Sequence, residues 1–241
     1  MYLNLSKKDY DKPVYRIITK ERLIELFQKG KNTLVHPSKW DDPYENFILK
    51  SQVRMKSGEV KAFDFHDNIY GQCWSRHKAS DAMWRIYSPN KDGIRIKSTI
   101  RKLLSSLYFG NVNKPSMSCV IGKVEYLTET KLNNYANSIY VNGALSKDNL
   151  FRSLLVKRRA FKHENEVRLL YFDLDYTNAG KLFSFGIKPH ELIDQIMIDP
   201  RKTYSDFLMI KDEIKVKTGF SGAIKRSLLY KAPEELVLDD N

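Results

Sequence analysis

Cysteine, glycine and proline are all scarce in this 241-residue sequence, which has two cysteines, 11 glycines and eight prolines. Two cysteines are too few for a disulfide-stapled scaffold, and so little glycine and proline excludes a collagen-like or low-complexity chain. No apolar run approaches the roughly 18 residues that a membrane-spanning helix requires. The first eight residues have no apolar signal core. We therefore expect a cytoplasmic protein without a membrane partner.

Several signatures of known chemistry are also missing. The sequence has no Gly-x-Gly-x-x-Gly, no Walker Gly-Lys-Ser/Thr, no Cys-x-x-Cys and no Gly-x-Ser-x-Gly motif. Its five histidines lie far apart, without His-x-x-x-His spacing. The sequence therefore gives no support for a metal site.

The charge balance is strongly basic. Lys and Arg number 41 against 29 Asp and Glu, which gives a formal charge of +12 and a pI near 9.5. Such a surface favours an anionic partner, such as nucleic acid, a nucleotide or an acidic protein, although a merely solvated basic surface is the alternative. The 42% of hydrophobic residues suit one domain over residues 1–241 with a substantial core.

Hydrophobic periodicity predicts a mixture of strands and helices. The predicted strands are 14–18, 34–35, 70–75, 93–97, 119–127, 166–174, 182–185, 195–198 and 224–230. The predicted helices are 19–29, 80–87, 99–108, 204–217 and a basic amphipathic helix over 146–161. Because strands and helices do not alternate regularly, we expect an α+β fold rather than a doubly wound one.

Residues able to carry chemistry occur in three separate segments. Arg16 lies on the first predicted strand, Ser75 ends a later strand, and Glu164 and Glu166 lie at the start of the strongest strand. Two carboxylates at i and i+2 on an extended segment point to the same face. Such a pair can accept a proton and orient an acceptor group.

This order of arginine, serine and Glu-x-Glu resembles the R-S-E class of ADP-ribosyltransferases. The resemblance implies a split mixed and antiparallel sheet with flanking helices around an NAD cleft. It implies that Arg16 contacts the NAD phosphates or ribose and that Ser75 organises the site. Glu166 would hold the nicotinamide ribose and stabilise the oxocarbenium ion, while Glu164 would orient or deprotonate the acceptor.

Other candidate site residues stand beside these. This sequence has a single serine, Ser75, where the class has Ser-Thr-Ser, so an aromatic ring from Trp74, Trp84 or Tyr87 is expected to complete the NAD site. In that class an aromatic residue shortly before Glu-x-Glu often contacts the acceptor. The predicted acceptor-binding residues are Phe161, Asp42 and Arg159, and Glu45 is an alternative to Asp42 if it lies near a cleft.

A second resemblance covers nearly the whole chain. Segments 37–45, 73–87 and 164–168 are similar to a widespread bacterial family of unknown function. Its members carry Asn-Asp-Pro-Phe-Glu, then Cys-Phe-Ser followed by Met-Trp and Tyr, then Glu-x-Glu-x-Arg. Here the first motif reads Asp-Asp-Pro-Tyr-Glu. This resemblance implies an effector of a toxin or phage-defence system, with an antitoxin or operon partner.

The leading hypothesis is transfer of ADP-ribose from NAD to nucleic acid or protein. Two alternatives stay open: a nucleic-acid-binding protein or nuclease whose Glu164 and Glu166 hold a metal ion, and a non-catalytic interaction module. Structural interpretations compete at individual residues as well. Arg16 could form an ion pair with one of the glutamates, and Trp84 and Tyr87 could belong to the core.

Overall fold

The computed structural model describes residues 1–47, 49–54, 57–62, 68–78, 80–111, 118–141, 144–173 and 180–231. The strands are β1 (Tyr2–Leu3), β2 (Pro13–Thr19), β3 (Lys31–Val35), β4 (Gln52–Arg54), β5 (Val60–Ala62), β6 (Ile69–Ser75), β7 (Gly93–Thr99), β8 (Cys119–Lys123), β9 (Glu125–Leu127), β10 (Tyr140–Val141), β11 (Ala144–Leu145), β12 (Val156–Arg158), β13 (Glu166–Phe172), β14 (Leu182–Gly186), β15 (Gln195–Ile198) and β16 (Ala223–Arg226). The helices are α1 (Lys20–Lys29), α2 (Asp81–Tyr87), α3 (Ile100–Phe109), α4 (Glu129–Ile139), α5 (Lys147–Ser153), α6 (Pro189–Leu192) and α7 (Tyr204–Thr218). Short 3₁₀ helices cover Lys7–Asp9, Pro37–Lys39, Pro43–Glu45 and Arg159–Glu164.

The main sheet is mixed and divides at β6. Its strand order is β1-β8-β13-β6-β2-β7-β15-β16, and β3 with β14 forms a branch that also starts from β6. One edge of β6 pairs with β13 along its whole length. On the other edge, Ser75 pairs with Tyr15 of β2, whereas Gly71 pairs with Val35 of β3. The strands β2 and β3 therefore diverge and leave a gap beside residues 72–74.

Helix boundaries follow local capping chemistry. The side chains of Thr19, Ser80 and Thr99 accept backbone hydrogen bonds at the N-termini of α1, α2 and α3. At the other end of α1, Gly30 adopts a left-handed conformation (φ 59°), which ends the helix without a steric penalty. The predicted helices over 19–29, 80–87 and 99–108 are confirmed.

Two apolar clusters cover the faces of the main sheet. The larger cluster includes Val14, Trp74, Val167 and residues of α3 and α7. The smaller one packs α5 against the opposite face, where Leu170 and other side chains of β13 project. Because β13 is buried on both faces, it forms the centre of the molecule.

The predicted basic helix over 146–161 is wrong. Helix α5 ends at Ser153, β12 follows, and a 3₁₀ helix then runs to Glu164. Leu154, Leu155 and Val156 are consecutive and all buried, which a surface helix cannot achieve because successive side chains point around its circumference. An extended β12 instead pairs with β9 and buries Lys157.

Three other segments differ from the prediction. The strand over 119–127 divides into β8 and β9 at Val124, whose N–H donates to the Glu166 carbonyl. The last strand ends at Arg226 rather than at residue 230. Helix α4 was not predicted.

The predicted α+β class, with a mixed sheet and flanking helices, is confirmed. Within the described part of the chain, every helix is too short or too polar to traverse a bilayer. The assignment of residues 1–241 to one domain stays a prediction.

Candidate functional site

A cavity of about 250 Å³ occupies the gap where β2 and β3 diverge from β6. Strand β6 contributes residues 71–75 to its wall, and β2 contributes Tyr15, Arg16 and Ile17. Tyr87 of α2 and the carboxylates Glu164 and Glu166 complete one side. Five of the predicted site residues therefore meet in one place: Arg16, Ser75, Tyr87, Glu164 and Glu166.

The sheet register explains how residues distant in sequence meet here. Tyr15 lies opposite Ser75 across the β2–β6 pair, and Ser75 lies opposite Glu166 across β6–β13. Side chains of directly opposed residues share a face of the sheet. Arg16 follows Tyr15 on β2 and so starts from the other face, and it reaches the cavity because the sheet is open at the gap.

Ser75 acts as a structural link within the site. Its Oγ donates a hydrogen bond of 2.8 Å to the carbonyl of Glu164 and accepts one of 3.0 Å from the backbone N–H of His77. The residue is buried, with 7% of its surface exposed. Ser75 therefore fixes the backbone of Glu164 beside the end of β6.

The Glu-x-Glu segment is not the extended strand that the spacing predicted. Glu164 ends a 3₁₀ helix, Asn165 is left-handed (φ 45°), and only Glu166 belongs to β13. Asparagine tolerates this conformation better than most residues. The turn still brings both carboxylates to the same cavity.

The two carboxylates belong to a buried cluster of five charges, the charge cluster, formed by Glu45, Lys157, Glu164, Glu166 and Arg168. Arg168 donates to Glu166 Oε2 at 2.7 Å and to Glu45 Oε1 at 2.5 Å. The Nζ of Lys157 lies 2.9 Å from Glu45 and 3.9 Å from Glu166, and it donates a short hydrogen bond to Glu164. Each of the five residues is at most 5% exposed, so these interactions are weakly screened.

The cluster separates the pKa values of its two central carboxyls. Burial raises the pKa of Glu164, and the neighbouring Glu166 raises it further. For Glu166, burial acts in the same direction, but the charges of Arg168 and Lys157 outweigh it and lower the pKa. Two adjacent carboxyls with opposite shifts are suited to different tasks, one fixed as an anion and the other able to exchange a proton.

The guanidinium of Arg16 has no ion-pair or hydrogen-bond partner among the described residues. Burial lowers the pKa of its guanidinium to about 10, which leaves it charged at neutral pH. The proposed ion pair between Arg16 and one of the glutamates is therefore wrong, since Lys157 and Arg168 take that position. A charged, unpaired guanidinium beside a cavity is suited to an anionic ligand.

A second cavity, of about 320 Å³, adjoins the first. Arg16 and Val35 line both cavities. The second is polar and basic, and its wall includes Arg22, Lys31 and Asn32. Arg16 therefore stands at the junction of two compartments.

Four predicted residues are not brought to the cavity. Trp84 is 1% exposed and points away from it, as the core interpretation expected. Asp42 is buried in an ion pair with Arg158 (2.9 Å) and caps the 3₁₀ helix Pro43–Glu45. Phe161 packs under Lys157 and Arg158, and Arg159 is exposed outside the cavity. None of the four touches the space in which a ligand would lie.

Lys157 and Glu45 are site residues that the sequence analysis missed in these roles. Lys157 was placed on the basic helix over 146–161, where its charge was attributed to a solvated face. Glu45 was predicted as part of the motif 37–45 and as an alternative to Asp42 in acceptor binding, not as a partner of Lys157 and Arg168. The available signal was the apolar run 154–156 directly before Lys157, which favours a buried strand.

Cys73 also lines the cavity, as an inert thiol. Burial raises its pKa well above the ordinary value, and the negative charge of Glu166 adds to the effect. A protonated thiol is a poor nucleophile. The other ionisable side chains of the lining are those of Tyr15, Arg16, Lys39, His77, Tyr87, Arg95, Glu164 and Glu166.

A family model described as "Protein of unknown function (DUF2971)" matches residues 83–169. The match includes residues 83–87 of α2 and the Glu-x-Glu-x-Arg segment, so this part of the chain is similar to that family. No curated protein matches the chain.

Solved structures of DarT from Thermus sp. 2.9 are also similar to the chain. The complex with ADP-ribosylated ssDNA is 13% identical, with a TM-score of 0.40, and the match covers 94% of this chain and 98% of that one. The complex with carba-NAD+ is 14% identical, with a TM-score of 0.38, covering 89% and 94%. The complex with NAD+ is 14% identical, with a TM-score of 0.37, covering 89% and 96%.

Proposed function

We propose that the protein is an NAD-dependent ADP-ribosyltransferase that modifies a macromolecular acceptor. The observation that carries the proposal is the convergence of an unpaired arginine, Arg16, and two buried carboxylates, Glu164 and Glu166, on one cavity. The arginine suits an anionic donor, and the carboxylates suit a reaction that develops positive charge. An enzyme that uses NAD as a donor of ADP-ribose needs a group that binds the diphosphate and a group that stabilises the positive charge on the ribose.

The donor is proposed to span both cavities. A dinucleotide consists of two nucleoside halves joined by a diphosphate, and Arg16 lies where the two cavities meet. Its planar guanidinium can donate two parallel hydrogen bonds to a diphosphate. The nicotinamide half would then occupy the cavity with the carboxylates, and the adenosine half the basic cavity near Arg22.

Glu166 is proposed to stabilise the transition state. Cleavage of the bond between ribose and nicotinamide leaves an oxocarbenium-like ribose, which a fixed anion stabilises. Arg168 and Lys157 hold the Glu166 carboxylate ionised and immobile. Tyr87 lines the same cavity and donates to Glu164 Oε1 at 3.2 Å, so its ring can pack against the nicotinamide.

The acceptor is proposed to be nucleic acid first and a protein second. The formal charge of +12 favours a polyanion. We place the reaction in the cytoplasm, in a toxin or phage-defence setting with an antitoxin or operon partner, as the sequence resemblances imply.

A metal-dependent nuclease fits the same residues less well. The carboxylate oxygens that a metal ion would need are hydrogen-bonded to Lys157 and Arg168. Within the described ranges, no group of three or more His, Cys, Asp or Glu side chains is arranged to hold a metal ion. Lys157 and Arg168 therefore occupy the positions beside the carboxylates that a metal ion would need.

Release of nicotinamide from NAD+ tests the proposal directly. The purified protein is mixed with NAD+ and with single-stranded DNA, RNA or a protein extract, and free nicotinamide is measured over time. We expect release with at least one acceptor and a loss of about a hundredfold or more in Glu166→Gln, because a fixed charge in the transition state is removed.

The matched control is Glu191→Gln, which removes an exposed glutamate paired with Lys188 at the surface. This variant should release nicotinamide as the wild type does. Circular dichroism establishes that both variants fold. Absence of release from the wild type with every acceptor overturns the proposal, and so does full activity of Glu166→Gln.

A further inference from the structure

The charge cluster is unbalanced. It contains three carboxylates, Glu45, Glu164 and Glu166, but only two cations, Lys157 and Arg168. All five are buried, so one negative charge in excess cannot be neutralised by solvent ions as a surface charge would be. Uptake of one proton by a carboxylate would balance the cluster.

The contacts show which carboxylate can take that proton. Glu166 receives two hydrogen bonds from Arg168, and Glu45 contacts both Arg168 and Lys157. Within the described part of the chain, Lys157 is the only cation paired with Glu164. Glu164 also faces the cavity, whereas Glu45 lies outside its lining, so a proton from a bound molecule can reach Glu164 directly.

We propose that Lys157 is a positioning residue that keeps Glu164 ionised and aimed at the cavity until an acceptor proton arrives. The role rests on the proposed ADP-ribosyl transfer. Glu45 holds Lys157 in place through an ion pair of 2.9 Å. Glu45 and Lys157 together therefore set the ionisation of Glu164, the carboxylate proposed to exchange a proton. Lys157 need not touch either substrate.

Every bond and proton in the proposed transfer is then accounted for. The bond between the ribose C1′ carbon and the nicotinamide nitrogen breaks, and its electron pair stays on neutral nicotinamide. An acceptor oxygen or nitrogen forms a bond to C1′ and loses its proton to the Glu164 carboxylate. The cluster, with one negative charge in excess beforehand, becomes balanced, and the proton later passes to solvent.

The charged and titratable neighbours of Glu164 come from several elements. Lys157 reaches it from β12 and lowers its proton affinity, while Glu45, Glu166 and the phenols of Tyr87 and Tyr126 interact with it from other elements. Glu45 and Glu166 raise its proton affinity by repulsion. Removing Lys157 and removing Glu45 should therefore have opposite effects.

The experiment measures the ionisation of Glu164 by NMR of isotope-labelled glutamate carboxyl carbons, with the signal assigned by its loss in Glu164→Gln. Lys157→Met should raise the titration midpoint by about one to three pH units. Glu45→Gln should lower the midpoint, and Lys157→Arg should keep it near the wild-type value. General disruption of the site cannot produce shifts of opposite sign.

The same variants are tested for nicotinamide release across pH. The acid limb of the rate profile should move with the NMR midpoint in each variant. A midpoint that is unchanged in Lys157→Met, or that moves the same way in both variants, overturns the role of Lys157. The expected NMR shifts without nicotinamide release from the wild type would instead overturn the proposed transfer and leave the control of Glu164 by Lys157 standing.

Discussion

The fold disfavours the charge of the partly buried Arg16. Its guanidinium is enclosed without a partner among the described residues, and burial lowers its pKa, which means that folding disfavours its charge. An unpaired charge that folding disfavours contributes little to packing, and its position beside the cavity is better explained by the binding of an anionic ligand.

Arg16→Met is expected to weaken NAD+ binding by about tenfold to a hundredfold, because charge-assisted hydrogen bonds to the diphosphate are lost. The free energy of unfolding should stay the same or increase, since a buried unpaired charge is removed. Calorimetric titration with NAD+ and urea unfolding measure the two effects.

Arg101→Met is the control for this substitution, because Arg101 is half-exposed and pairs with Asp11 at the surface. It should bind NAD+ like the wild type. Unchanged affinity in Arg16→Met would contradict the donor site proposed at the junction of the two cavities.

The sequence could predict the residues of the site that stand on strands. Arg16, Ser75 and Glu166 lie on β2, β6 and β13, whose runs of β-branched, aromatic and other apolar residues indicate strands without a helical period. Lys157 and Asp42 were misplaced because their partners, Glu164 and Arg158, are set by tertiary packing. Local pattern carries no information about which buried charges will meet.

At the scale of elements, β6 and the segment after the 3₁₀ helix Pro37–Lys39 approach unusually closely. A Cβ built at Gly71 would lie 2.6 Å from Trp40 Cζ2 and 3.0 Å from Leu170 Cδ2. Trp40 in turn lies over the guanidinium of Arg168, at 4.5 Å. The absence of a side chain at Gly71 thus allows the indole to cover the charge cluster.

Gly71→Ala should reduce the free energy of unfolding by about 1–3 kcal/mol through overpacking. It should also lower the rate of nicotinamide release, because Trp40 is displaced from Arg168. Gly186→Ala is the matched control, since no atom lies within 4 Å of the added Cβ. Equal unfolding midpoints for the two variants would contradict this account of the packing.

Hydrogen bonds of Asp199, the residue after β15, and of Ser88 connect the end of α2 to β7 and β15. This carboxylate accepts a hydrogen bond of 2.7 Å from Ser88 at the end of α2, and Arg201 donates to it at 2.6 Å. Ser88 also accepts from the N–H of Gly93 at the start of β7. The position of Tyr87 beside the cavity depends on this attachment.

Asp199→Asn should therefore lower the free energy of unfolding by about 1–3 kcal/mol at pH 7. Burial acts to raise the pKa of Asp199, but the hydrogen bonds from Arg201 and Ser88 outweigh it and lower the pKa. A lowered folded-state pKa gives stability that is present above the unfolded-state value of about 3.9 and is lost as pH falls further.

Urea unfolding at pH 7 and pH 3 measures this pH dependence. The difference between wild type and variant should shrink at the lower pH. Asp148→Asn, which removes an exposed pair with Arg152, should cost less than about 1 kcal/mol at either pH. A difference that grows on acidification would refute the assigned sign.

Element prediction failed where burial, rather than periodicity, decides the structure. Helices such as α1 and α3 are amphipathic and capped, so sequence alone predicts them well. The segment 146–161 contains apolar residues at helical spacing up to Leu155, but the sheet and the charge cluster draw Val156 and Lys157 into an extended strand. Tertiary burial overrides a weak local preference here.

At the scale of the whole molecule, the charge of +12 predicts strong salt dependence of any nucleic-acid binding. The affinity for a labelled single-stranded DNA or RNA oligonucleotide should fall at least about tenfold between 50 mM and 200 mM salt, because counterion release drives such binding. Fluorescence anisotropy measures it. Salt-independent binding would favour a protein acceptor.

The split in the main sheet has a consequence for how this site can vary. The chain crosses from β2 to β3, and so from one side of the gap to the other, through the single ten-residue helix α1. Such a helix spans about 15 Å. The gap itself is bounded by the pairing of both strands with β6, at Ser75 and at Gly71. The length of α1 can therefore change without replacing any residue that lines the cavity beside Glu166.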